Sequence, residues 1–188
     1  MTSAQIIVIS IVVIAVIALA VAVFFQSRTK KLRARFGPEY DRAVGQTGSK
    51  YKAEAELEKL EERVNRYPLF LLSPTDRDQF QQSWRTIQAN FVDDPGGALA
   101  EADHLIVRVM SARGYPMNDF EQRAAEISVD HATVVHHYRA GHDIAIRQSR
   151  REATTEDLRQ AMIHYRALFD ELMQEQPARA RAQVVGRG

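Results

Sequence analysis

The sequence predicts an all-α protein: a single N-terminal transmembrane helix, then a charged stalk and a small helical bundle. Three observations carry this prediction. Residues Ile6 to Phe25 form an unbroken apolar run in which only Ser10 has a polar side chain, and five cations follow at once: Arg28, Lys30, Lys31, Arg33 and Arg35. From Ser73 onward, apolar residues recur at steps of three and four behind helix N-cap signals, and no segment alternates with period two. The chain accordingly divides into an anchor (1–27), a basic juxtamembrane segment and helical stalk (28–72), a bundle domain (73–175) and a tail expected to be disordered (176–188).

The anchor comes first. Twenty helical residues at 1.5 Å each span roughly 30 Å, the thickness of a bilayer hydrocarbon core. Fifteen of those twenty are Ile, Val, Leu or Phe, each worth about −0.3 to −0.6 kcal/mol near a helix centre on the insertion scale. Ala20-Val21-Ala22 has the form of a signal-peptide cleavage site. Against cleavage, the opening Met1-Thr2-Ser3-Ala4-Gln5 lacks a basic side chain, the run exceeds a usual signal core, and the cations lie after it. Lys and Arg beside a span tend to stay cytoplasmic, so the N-terminus is expected outside and the remaining chain in the cytosol. Arg28, Lys30, Lys31, Arg33 and Arg35 are the expected contacts to lipid headgroups, or else only a flank that sets topology. Ala15, Ala18 and Ala22 leave room for weak self-association of the span.

Beyond the cations, Gly37-Pro38, Gly45 and Gly48-Ser49 are expected to interrupt any helix, and then Tyr51 to Arg66 reads as a charged helical stalk with Leu57, Leu60 and Val64 on one stripe. Tyr67-Pro68 and Ser73-Pro74 lead into the bundle. Ser73 before Pro74 starts a helix carrying Phe80, Trp84, Ile87 and Phe91. Asp94-Pro95 starts another, with Leu99, Ala102, Ile106, Val109 and Met110 facing one way until Gly114. Asp119 with Gln122 resembles a capping box for a short helix to about Ile127. Asp130 is the expected cap of a longer helix through Val134, Val135, Tyr138 and Ile146. Thr154 with Asp157 opens the last, carrying Leu158, Met162, Tyr165, Leu168, Phe169 and Leu172.

Chemistry is harder to read. The chain has no cysteine, which removes disulfides, thiolate metal sites and a cysteine nucleophile. Four of the six histidines fall between His131 and His142, yet none of their pairs is three or four residues apart, the spacing that brings two ligands of one helix to a metal. The sequence Glu101-Ala102-Asp103-His104 is a single Glu-x-x-His, where a di-iron bundle needs two. There is no phosphate-cradling glycine loop and no serine on a strand-to-helix elbow. No catalytic residue and no cofactor is assigned.

Two binding readings remain. Arg123 to Val135 is similar to a helix-turn-helix, and His131, Ala132, Thr133 and His136 would then face a DNA groove. Ser128 stands where the turn glycine belongs, and Tyr67 to Glu175 holds eleven basic against seventeen acidic side chains, the wrong balance for a duplex binder. The other reading is a protein-interaction surface at the turn Arg113-Gly114-Tyr115-Pro116 through Phe120, with Arg113, Tyr115 and Phe120 as anchors. The competing role for Tyr115 and Phe120 is to close the core beneath that turn.

The stretch Ala112-Arg113-Gly114-Tyr115-Pro116, Asp119 to Ala125, Ser128-Val129-Asp130-His131 and Tyr138-Arg139, with Glu156-Asp157-Leu158-Arg159 and His164-Tyr165-Arg166 downstream, resembles an uncharacterised family of bacterial proteins with an N-terminal membrane anchor. The resemblance covers about Ser73 to Leu172 and implies one helical domain, a bacterial source and hence the inner membrane. It implies no activity. The expected function is a non-enzymatic, membrane-tethered module that engages an unknown protein partner at the cytoplasmic face. The alternatives are a membrane-bound DNA-binding regulator, or a secreted or periplasmic helical protein if the anchor is cleaved or inverted.

Overall fold

A computed structural model describes residues 3–174, with side chains from residue 12 onward; the tail expected from Gln176 onward lies outside the described residues. These form eight α-helices and no strand. By contacts the chain falls into two compact units, Met1–Leu57 and Glu58–Gly188.

In the first unit, α1 (Ser3–Phe36) runs on well past the apolar run. Its large apolar side chains between Val12 and Phe25 are exposed. It is the one helix among the described residues long and apolar enough to cross a membrane. Where the glycines were expected to interrupt any helix, α2 (Pro38–Thr47) forms between Gly37 and Gly48 and runs through Gly45, since one glycine costs a helix only about 1 kcal/mol; α3 (Lys50–Val64) follows. Leu32 and Phe36 of α1, Tyr40 of α2, and Ala53 and Leu57 of α3 are buried. Glu54, also buried, joins the three helices. Its carboxylate accepts from the Thr29 hydroxyl at 2.7 Å and the Tyr40 hydroxyl at 2.9 Å. These bonds and the Arg28 and Lys50 charges outweigh the opposing effect of burial and hold the Glu54 carboxyl below its ordinary pKa.

The second unit is a helical bundle. Its helices are α4 (Pro74–Asn90), α5 (Pro95–Ala112), α6 (Phe120–Ser128), α7 (Val135–Ser149) and α8 (Thr155–Met173). Helix α8 packs on both α5 and α7, with α4 against α5 and α6 against α7. The stripes on α5 and α8 are the core: Leu99, Ala102, Ile106, Val109 and Met110 meet Leu158, Met162, Tyr165, Leu168, Phe169 and Leu172. Trp84 stacks on Phe169 with ring centroids 4.9 Å apart. A Cβ at Gly141 would lie 2.9 Å from the Tyr165 ring, so the absence of a side chain there sets how closely α7 approaches α8.

Four of the five expected caps form. Ser73, Asp94 and Asp119 each accept from the backbone N–H three residues on, and Thr154 with Asp157 closes a reciprocal capping box. At Asp119 the box stays half-made, because the Gln122 side chain donates to Glu126 at 3.0 Å instead of turning back. Asp130 is the exception. The chain from Asp130 to Val134 is a turn, α7 begins only at Val135 behind Val134, and no side chain caps it. Of the apolar residues on this helix, Ile144 is buried and Ile146 is 39% exposed.

Candidate functional site

The turn after α5 does not present its arginine and tyrosine to solvent. Arg113 is 2% exposed and Tyr115 3%. The Arg113 guanidinium donates to the Leu172 carbonyl and, at 3.3 Å, to that of Gln174. It thereby serves backbone acceptors that the end of α8 would otherwise leave unmet. Gly114, at φ 89°, completes the turn, and a Cβ there would sit 2.4 Å from the Pro68 carbonyl oxygen. Tyr115 donates to Asp130 at 3.2 Å. Phe120 is half-buried, stacked on His142 with centroids 3.5 Å apart and tilted against Tyr138 at 4.8 Å. The proposed interaction anchors are thus corrected to internal joints: α8's last carbonyls and the α6–α7 contact consume the groups a partner would use.

The DNA-contact set is corrected similarly. His131 is 5% exposed, and its Nδ1 lies 3.0 Å from Glu171 of α8. It, Ala132 and Thr133 precede α7 instead of lying on it; only His136 stands on the helix, exposed. Arg139, the first arginine of α7, pairs with Glu121 at 2.7 Å. Arg113, Tyr115, Asp130, His131 and Glu171 therefore form one polar junction between two turns and the end of α8. The Nε2 of His131 is buried there without a hydrogen-bond partner, and neither surface cleft described below reaches it.

Other polar centres were not foreseen from sequence. Glu126 of α6 is 1% exposed and accepts from Tyr67 at 2.9 Å and Gln122 at 3.0 Å, with Arg63 at 3.4 Å. His137 and His164 place their Nδ1 atoms 2.9 Å apart, with the His136 ring 3.9 Å from that of His137. Burial, and then the neighbouring imidazoles, push His137 and His164 below the ordinary histidine pKa. Nothing in the sequence marks this pair, because its members lie 27 residues apart on different helices. Among the described residues no group of three or more His, Asp or Glu side chains is placed to hold a metal.

The expected headgroup cations divide into two kinds. Arg28 lies 3.9 Å from Glu54 and Arg33 3.0 Å from Asp41, and Arg35 is half-buried. Lys30 and Lys31 are exposed. Three of the five are thus held at least partly by the protein itself.

Two clefts open on the bundle. One, of about 410 Å³, lies between α4 and α5 and includes Glu101, His104 and Arg108. The other, of about 710 Å³, lies between α4 and α8, with Trp84 and Phe169 among its walls and Arg77, Arg85 and Arg166 around it. Compared with protein-family models, curated proteins and solved structures, the chain matches none.

Proposed function

We propose that this chain is a membrane-tethered helical interaction module whose bundle lies at the cytoplasmic face of a bacterial inner membrane and engages another protein there. The observation that carries the reading is the exposed apolar surface of α1 between Val12 and Phe25, followed directly by cations. Such a surface needs lipid around it, and the cations favour the cytosolic side. A single span raises the local concentration of whatever it carries, which is reason enough to tether a binding domain.

With Arg113 and Tyr115 turned inward, the cleft between α4 and α8 is the better docking surface. Its rim of Arg77, Arg85 and Arg166, above the buried Trp84–Phe169 stack, carries the residue type most enriched at interfaces. Arg166 already pairs with Asp170 at 3.4 Å, so Arg85 is the arginine at this rim that best suits a partner segment bearing carboxylates.

The topology test is a pair of reporters fused after Gly188. A reporter active only in the cytosol works there; activity of a periplasm-only reporter instead would overturn the orientation. The docking test is a photo-crosslinking residue at Gln81 in the cleft, compared with one at the exposed Val92, in membranes. A protein adduct at 81 but not at 92 supports the cleft, and equal yields remove it.

A further inference from the structure

We infer that the corner joining α2 to α3, with Lys50, Tyr51 and Lys52, rests on the bilayer surface and, together with Lys30 and Lys31, binds anionic lipid headgroups. This rests on reading α1 as a span. The apolar run ends at Phe25, so Arg28 lies about 4.5 Å further along the helix axis, within the headgroup layer. The Arg28 guanidinium lies over the Tyr51 ring, 5.9 Å from its centroid. One turn into α3, Glu54 holds Thr29 at 2.7 Å and pairs with Arg28. The first turn of α3 is therefore fixed at the depth of Arg28 and Thr29. The ten residues of α2 carry the chain back to it along α1 from Phe36.

The side chains at this corner suit that depth. Tyr51 is 66% exposed, although a tyrosine that merely braced the helices would be covered; an aromatic ring with a polar tip belongs at a membrane interface. Lys50 and Lys52 flank it, both exposed although Lys50 also lies 4.0 Å from Glu54, and Lys30 and Lys31 on α1 are exposed too. All five lysines of the chain lie between residues 30 and 59, while Tyr67 to Glu175 carries eleven arginines and no lysine. The corner thus supplies hydrated point charges on flexible stems, which suit mobile phosphodiester headgroups. The cations expected to touch lipid are in this way replaced in part: Arg28 and Arg33 brace the helices, and lysines of the corner take over from them.

The experiment uses the full chain, whose lack of cysteine allows one labelling site at a time. Tyr51→Cys and, as a reference, Asp41→Cys carry an environment-sensitive fluorophore in lipid nanodiscs. Asp41 pairs with Arg33, about 12 Å beyond Phe25 along α1. Quenching by a headgroup-labelled lipid is expected to be several-fold stronger at 51 than at 41, and stronger in discs containing phosphatidylglycerol than in pure phosphatidylcholine. Lys30→Gln with Lys31→Gln and Lys52→Gln, which leaves the Lys50–Glu54 pair in place, should reduce that lipid dependence several-fold. Equal quenching at 51 and 41 would overturn the placement, and quenching indifferent to lipid charge and to the lysines would overturn headgroup binding. A chain that fails to enter the discs would instead refute the reading of α1 as a span.

Discussion

The Nδ1 atoms of His137 on α7 and His164 on α8 lie 2.9 Å apart. One ring must donate and the other accept, so at least one is neutral. Both values are depressed, chiefly by burial. The sign follows: a histidine whose folded pKa is below its ordinary 6.5 contributes stability that is fully present above that pH and is lost as pH falls through the folded value. Thermal melts of the full chain in detergent should therefore show a lower midpoint at pH 5.5 than at 7.5. His164→Gln should flatten that difference. An unchanged slope in the variant would place the proton-sensitive step elsewhere.

Gly141 faces Tyr165 at a distance that leaves no room for a methyl group. The ring cannot easily yield, because its hydroxyl donates to Asp103 of α5 at 2.9 Å. Gly141→Ala should cost about 1 to 3 kcal/mol by overpacking, less up to about 1 kcal/mol regained in helix propensity. Denaturant unfolding checks this. A variant more stable than the parent would show that α7 and α8 can separate freely.

Trp84→Ala should cost about 3 to 5 kcal/mol, since the indole is buried against Phe169. The parent's single tryptophan should emit at short wavelength. Emission typical of water, with an unaltered melting temperature in the variant, would take α4 out of the core.

Glu54→Ala leaves the Tyr40 hydroxyl without its acceptor and the Thr29 hydroxyl with only the Phe25 carbonyl at 3.0 Å, a loss of about 1 to 3 kcal/mol for buried groups. The first turn of α3 should then open more often. Trypsin should cut faster after Lys50 and Lys52 in the detergent-solubilised chain, with the rate at Arg150 unchanged. No change in cleavage would mean that apolar packing alone holds the helices together.

The apolar run, the stripes of α4, α5 and α8, and the caps at Ser73, Asp94, Asp119 and Thr154 could all be read from sequence because each is a local signal. A cap acts over three residues and a stripe repeats every three or four. Asp130 misled for the same reason: its spacing suits a cap, but Tyr115, fifteen residues earlier, takes its carboxylate. The buried polar residues were settled only by packing. Glu54 sits three residues before Leu57, one of several acidic residues on the charged α3 with no local signal to set it apart; Thr29 and Tyr40 make it the joint of three helices. Arg113 looked like an interface anchor until the end of α8, 59 residues away, proved to supply its acceptors. The sequence by itself determined which segments are helical and which faces are apolar, because backbone preference and hydrophobic periodicity are short-range. Tertiary structure alone decided which charges are bound internally and which stay exposed, because a polar side chain's role depends on the group that packing brings opposite it.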